Sequence, residues 1–305
     1  MTSTKALVDE GVARLRALGF ETPRLDTELL LAHAIGVERT AVIAHGDAPV
    51  GPGAEAAFRG FLDRRTAGEP VAYIRGIKEF HGIALVVDPR ALIPRPETEH
   101  VVDLVLADVV RRLTARDRAV ADAPARPIRV VDVGTGSGAI AIALAVGLRN
   151  SRVPPEEVAI VAVDVSPDAL DLARENAVGH GVGDRVTFET ADLLPASSAG
   201  RPWDVVAANL PYVRSEAMAA LPTPTTFEPP EALDGGPDGL SLIARLLEAL
   251  PAGLAADGTA FVEIGAYQGD AIVALAGDRM PGWSCTVQTD LAGLPRTAVV
   301  RRAGA

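Results

Sequence analysis

The chain has 305 residues, of which 48% are hydrophobic and 23% charged, a composition of an ordinary globular protein long enough for two domains. Its single cysteine, Cys285, excludes an internal disulfide framework, reads as a buried apolar residue and fits a reducing, cytoplasmic setting. Of the net charge of −11, residues 1–80 carry almost none (10 Lys and Arg against 11 Asp and Glu), and the remaining −10 is a poor match to a polyphosphate backbone, which argues against a nucleic-acid partner.

The opening residues Met1–Lys5, followed by Asp9 and Glu10, lack an apolar signal core. The longest apolar run, Ala139 to Val146, is too short to cross a bilayer, so no membrane role is expected. Leu7, Val12, Leu15 and Leu18 recur at helical spacing. A second stripe runs through Leu25, Leu29, Leu30 and His33 after Pro23, and a third helix over Ala54–Arg65 carries Phe58, Phe61 and Leu62 on one face. His33 and His45 have no matched set of partners and read as satisfied or solvent-facing histidines; no metal site is expected. Residues 1–75 are therefore expected to form a small helical domain.

From Val71 to Ile93 the period changes. Ile83, Leu85 and Val87 alternate after His81-Gly82, which predicts a β-hairpin linker within residues 76–97. A helix then runs to about Leu113, and residues 114–128 read as a surface loop.

Alternating strands and helices follow, the pattern of a parallel sheet with helices on both faces, so residues 98–305 are expected to be a Rossmann-like α/β domain. Strands are predicted at residues 128–133, 158–163, 186–190, 203–208, 259–264, 284–288 and 297–301, and helices at 139–148, 167–179 and 239–250.

Between the first of these strands and its helix lies Gly134-Thr135-Gly136-Ser137-Gly138. Its glycines allow a sharp turn and close approach of a ligand, at a helix start with unpaired N–H groups. The turn also fits a dinucleotide fingerprint, with Ala139 in the last place. Two features favour S-adenosylmethionine. Asp164 ends the second strand, where its carboxylate can accept from both ribose hydroxyls, and Asp192-Leu193 ends the third, placed for an adenine amino group and ring. The other feature is Asn209-Leu210-Pro211-Tyr212, for which hydride transfer has no use.

A side-chain amide oxygen at Asn209, a main-chain carbonyl at Leu210 held extended by Pro211, and the flat ring of Tyr212 can grip a planar NH2 group. An N-methyltransferase acting on an amide or exocyclic amine needs this set, because the nitrogen must be aligned with the methyl group and the charge developing on it stabilised.

Further stretches carry a resemblance over nearly the whole length: Arg24 to His33, Gly68 to Ile74, Phe80-His81-Gly82, Leu92 to Glu99, Asp132 to Gly138, Phe227-Glu228-Pro229, Gly235 to Leu240 and Glu263-Ile264-Gly265. On these the chain resembles the HemK/PrmC family of protein-glutamine methyltransferases. The resemblance implies a helical domain that recognises a peptide-chain release factor and a domain that binds S-adenosylmethionine. It implies methylation of the glutamine amide in the factor's Gly-Gly-Gln motif. By position it places the donor on Gly134 to Gly138, Asp164, Asp192, Leu193 and Asn209. The glutamine falls on Asn209 to Tyr212, with Phe227 and Glu228 shaping a nearby wall. Where the family reads Asn-Pro-Pro-Tyr this chain has Leu210, and the mechanism's carbonyl survives that change. The Asn-Leu-Pro-Tyr form is also similar to that of ribosomal RNA adenine dimethyltransferases, which keeps an adenine-amino methyltransferase as the alternative, beside a silent S-adenosylmethionine-binding module. Near the end, Leu294-Pro295-Arg296 stands where the family has Arg-Asp-Arg.

Overall fold

The computed structural model describes residues 1–118, 126–195 and 200–304, and within them the chain divides into two compact units. The first comprises Met1–Ile77 and Pro222–Phe227, the second Lys78–Leu221 and Glu228–Ala305.

Helices α1 (Thr4–Ala17), α2 (Pro23–Ile35), α3 (Arg39–Ala44), α4 (Pro52–Thr66) and α5 (Val71–Arg75) build the first unit. Ser3 caps α1 by accepting from the Ala6 amide, Pro23 and Pro52 open α2 and α4, and Gly36 ends α2 in the left-handed region at φ 78°. Their apolar stripes close on one core of Leu7, Leu15, Leu30, Leu31, Phe58 and Leu62. His33 rests on the Phe61 ring at 5.1 Å between centroids.

The expected change to strand periodicity at Val71 comes later, because Val71–Arg75 is the short helix α5, closed by Gly76 at φ 69°. The predicted hairpin is present as β1 (Ile77–Phe80) and β2 (Ile83–Val86). Its two-residue turn, His81 and Gly82, has both φ angles positive, as a tight hairpin of right-handed twist demands. Phe80 and Leu85 are buried in the core of the second unit.

Helix α6 (Glu99–Arg118) follows a 3-10 turn at Pro96–Thr98. The predicted loop over 114–128 is corrected in part, since residues 114–118 continue the helix. Just before this stretch Arg112 pairs with Asp108 at 2.6 Å one turn back and donates to the Asp257 carbonyl at 2.6 Å, which ties the helix down. The stretch 119–125 of that predicted loop lies outside the described residues.

The α/β part runs β3 (Ile128–Val133), α7 (Ala139–Asn150), β4 (Val158–Asp164), α8 (Pro167–Gly179), β5 (Val186–Thr190), β6 (Trp203–Ala208), α9 (Ser241–Gly253), β7 (Leu254–Glu263), α10 (Gly269–Arg279), β8 (Trp283–Thr289) and β9 (Pro295–Arg302). The seven-stranded sheet has the order β5-β4-β3-β6-β7-β9-β8. It is mixed rather than parallel throughout, because β9 runs antiparallel to both β7 and β8. Every residue of β6 is buried, as a central strand covered on both faces requires. One face packs on α6 and α7 through Val101, Val105, Ile140 and Leu144, the other on α9 and α10 through Ile243, Leu246, Leu250 and Ile272. The chain leaves β3 toward β4 on one side, and β6 leads to β7 on the other. The C-terminal ends of β3 and β6 therefore flank the point where strand order reverses, which opens a crevice there.

Candidate active site at the β3/β6 crevice

The Gly134–Gly138 turn leaves β3 at that crevice, with Gly134, Gly136 and Gly138 at φ of 70°, 55° and 83°. Side chains are rarely tolerated there. A Cβ on Gly134 would stand 3.0 Å from the Leu210 side chain, and one on Gly138 2.6 Å from Ile142. Two carboxylates fix the turn. Asp164 accepts from the Gly136 and Ser166 amides, each at 2.9 Å, while Ser166 caps α8 as expected. Asp132, fully buried under the turn, accepts from the Thr135 hydroxyl at 2.6 Å and the Ala141 amide at 3.1 Å through Oδ2. Its Oδ1 has no hydrogen-bond partner among the described residues. Burial pushes the Asp132 carboxyl up to about 6, against the lowering effect of these two hydrogen bonds.

One cavity brings together most residues expected from the sequence: Gly134, Thr135, Gly136, Ser137, Asp164, Asp192, Leu193, Asn209, Leu210 and Pro211. Gly138 and Tyr212 stand behind its wall. Gly138 starts α7, and the Tyr212 ring turns inward so that its hydroxyl donates to Glu263 at 3.3 Å. Asp192 receives Arg245 on one oxygen at 2.6 Å, and Leu193 sits at φ 66°, a conformation a leucine adopts only when its surroundings impose it. Arg90, Ala91, Leu92 and Pro94 add a wall that sequence reasoning did not assign.

Asn209 follows the end of β6 and donates through Nδ2 to the Thr98 hydroxyl at 3.0 Å. That contact turns Oδ1, an acceptor, away from Thr98. The Leu210 side chain is buried, while its carbonyl accepts no hydrogen bond among the described residues. Behind the tetrapeptide, the segment 233–239 is bonded along it: Val213 donates to the Leu233 carbonyl at 3.0 Å and Gly235 to the Val213 carbonyl at 2.8 Å. Gln268, 2% exposed, donates to the Tyr212 and Gly239 carbonyls at 3.2 and 3.1 Å and accepts from the Gly265 amide at 2.8 Å.

Glu228 is buried with both oxygens engaged, one on the Ile93 amide at 3.0 Å and one on Arg95 at 2.6 Å. It holds the 93–95 wall in place, and its neighbour Pro229 lines the cavity. Phe227 groups with the helical unit.

The residues present fit a donor carrying an adenine, a ribose diol and an amino-acid tail. A buried unpaired carboxylate oxygen suits an ammonium group, a helix N-terminus suits a carboxylate, and strand-end carboxylates suit a ribose and an adenine amine. Fold and cavity together define a Rossmann-like, S-adenosylmethionine-dependent methyltransferase. The PrmC N-terminal domain model matches residues 6–76, and a methyltransferase domain model matches residues 126–235. A release factor glutamine methyltransferase of Deinococcus radiodurans is 36% identical over 98% of both chains, and one of Moorella thermoacetica is 40% identical over 90% of both. The chain belongs to the release factor glutamine methyltransferase family. Among solved structures, the catalytic domain of human Mettl16, crystallised with an RNA hairpin, superposes with a TM-score of 0.52 at 15% identity, over 73% of this chain and 76% of that one, which is a likeness of fold.

Asp132, Thr98, Glu263 and Gln268 were not singled out for chemistry in the sequence. For Asp132 and Glu263 a signal existed, a carboxylate directly after an apolar run late in a strand (Val130-Val131 and Ala260-Phe261-Val262). Thr98 and Gln268 had none, since their roles arise only from what folding brings beside them.

Proposed function

We propose that the enzyme transfers a methyl group from S-adenosylmethionine to the side-chain amide nitrogen of the glutamine in the Gly-Gly-Gln motif of peptide-chain release factors, in the cytoplasm, with the helical unit recognising the factor. The observation that carries this reading is the pair of acceptors at the cavity, Asn209 Oδ1 and the Leu210 carbonyl, unengaged among the described residues and a match for the two N–H bonds of a primary amide. Among the described residues no helix is long and apolar enough to cross a membrane.

Bound S-adenosylmethionine supplies an electrophilic methyl group on a sulfonium. Gly134 to Ser137, with Asp132 beneath them, and Asp164, Asp192 and Leu193 would hold it. An amide nitrogen is a weak nucleophile because its lone pair is shared with the carbonyl. Asn209 and Leu210 orient that nitrogen, which removes most of the entropic part of the barrier, and their oxygens oppose the positive charge that grows on it. Pro211 forms the surface beside the amide, and Tyr212, its ring turned to Glu263, backs that surface from behind the wall. Glu228 keeps the wall at Ile93 and Arg95 in shape without touching the glutamine.

The test is methyl transfer from labelled S-adenosylmethionine to a purified release factor, beside a copy whose Gly-Gly-Gln glutamine is replaced. Label on the wild-type factor alone is expected. Label on both copies, or on RNA and neither copy, would overturn the assignment.

A further inference from the structure

Glu263 closes β7 with its side chain wholly buried, on the sheet face that carries Phe261. A carboxylate there is costly unless it does something an apolar residue cannot. Among the described residues it has no salt bridge, and Arg296, a cation acting on it, is engaged with Asp290 at 3.3 Å. What converges on Glu263 is the amide-gripping tetrapeptide. Tyr212 donates its hydroxyl to Oε1 at 3.3 Å. Thr98, whose hydroxyl lies beside the carboxylate, accepts from Asn209 Nδ2 at 3.0 Å. Because Thr98 Oγ1 accepts on that side, its own hydrogen is left for the carboxylate, whose Oε2 has no partner within hydrogen-bond distance among the described residues. Bonds of this kind are often long before substrate arrives and tighten in the complex.

We infer that Glu263 is a positioning residue that ties Asn209, through Thr98, and Tyr212 into one rigid acceptor site and polarises the Asn209 amide. This rests on the proposed amide methylation. With substrate bound, the Thr98 hydroxyl closes on the carboxylate, and the bonds then run in one direction, from Asn209 N–H to Thr98 oxygen and on to Glu263, so each strengthens the next. Electron density moves toward Asn209 Oδ1, the oxygen that faces the charge growing on the substrate nitrogen. The carboxylate form does this, and a protonated Glu263 does not. Charged and titratable groups facing it are Tyr212, Arg296 at the start of β9 and Glu97 in the turn before α6; α6, which packs on β7, also carries His100, and Arg95 acts on Tyr212. Burial pushes the Glu263 carboxyl up to about 7, so its charged form is gained across neutral pH.

The experiment compares wild type, Glu263→Gln, Thr98→Val and Thr98→Ser for donor affinity by calorimetry and for kcat on the release factor from acid to mildly alkaline pH. Wild-type kcat should rise through about pH 7. In Glu263→Gln that rise should vanish and kcat above it fall by about tenfold or more, with donor Kd within about twofold. Thr98→Val should lose activity in the same way and Thr98→Ser should restore it, which decides the matter if Glu263→Gln does not fold. Glu263→Gln with the wild-type pH limb and turnover, or Thr98→Val as active as Thr98→Ser, overturns the inference alone. Wild-type enzyme that leaves the release factor unlabelled overturns the proposed function, and the inference with it.

Discussion

At the scale of single residues, the site holds two carboxyls that the fold would prefer to keep protonated. Asp132 and Glu263 are raised to about 6 and about 7, both chiefly by burial. For Glu263 the folded state keeps a proton that the unfolded chain, with an ordinary value of 4.5, has given up, so its contribution to stability is present at low pH and lost as pH rises through about 7. Glu263→Gln should therefore be more stable than wild type above neutrality, by on the order of 3 kcal/mol, and gain little near pH 5. Urea unfolding at both pH values measures this, and a variant destabilised under alkaline conditions would refute the burial argument. Asn209→Ala removes the oriented acceptor while leaving β6 and its flanks intact. Its barrier should rise by about 3 kcal/mol, read as kcat at saturating donor. If turnover survived, the acceptor role of Oδ1 would be wrong.

At the scale of elements, the tetrapeptide is kept rigid by what packs behind it. A Cβ on Gly239 would stand 2.4 Å from the Tyr212 carbonyl, and one on Gly235 2.6 Å from the Pro211 carbonyl. Gly239 also sits at φ 74°. Gly239→Ala should cost about 2 kcal/mol or more in stability, and lower kcat beyond the fraction unfolded, because the Tyr212 peptide must move. Circular dichroism melting beside single-turnover rates separates the two effects; a variant with wild-type turnover would show that the peptide tolerates displacement. Much of this architecture was legible in the sequence. Strands β3, β5 and β6 and helix α8 fall where apolar runs, Ser166-Pro167 and strand-end acids placed them. Helices α3 and α5 were not, being one or two turns long with too few residues for a period. Helix α10 was missed because Ile272 and Ala276 are its only buried positions. The antiparallel course of β9 was hidden too, since pairing direction follows from which strand lies alongside and leaves no mark on residue pattern. In the site, the glycine turn and Asn209 to Tyr212 were readable because they are contiguous. The Thr98–Asn209 contact joins residues 111 positions apart, and no local pattern reports it.

At the scale of the molecule, each unit has its own apolar core, and the cavity is lined by the second unit alone. The chain nevertheless lends Pro222–Phe227 to the first unit, where a Cβ on Gly68 would stand 2.6 Å from Thr223. A fragment beginning at Lys78 should bind S-adenosylmethionine nearly as well as the full chain. Its 222–227 stretch, deprived of its partners, should become a cleavage site that is protected in the intact protein. Limited proteolysis with mass spectrometry checks this, and equal protection in both would show that the segment is held without the helical unit.

The glycines behind Pro211 and Tyr212 bear on how far such an enzyme can drift and still work. On the proposed mechanism position 210 is a permissive site, because only its carbonyl would be used and its side chain need only fill the adjoining core. Gly235 and Gly239 are not permissive: a single added methyl reaches the peptide that presents the acceptors. In a lineage losing its activity, decay should register at these two glycines even while the four-residue signature still looks intact. A genome survey would then tell working copies from relics more surely by the backing than by the face.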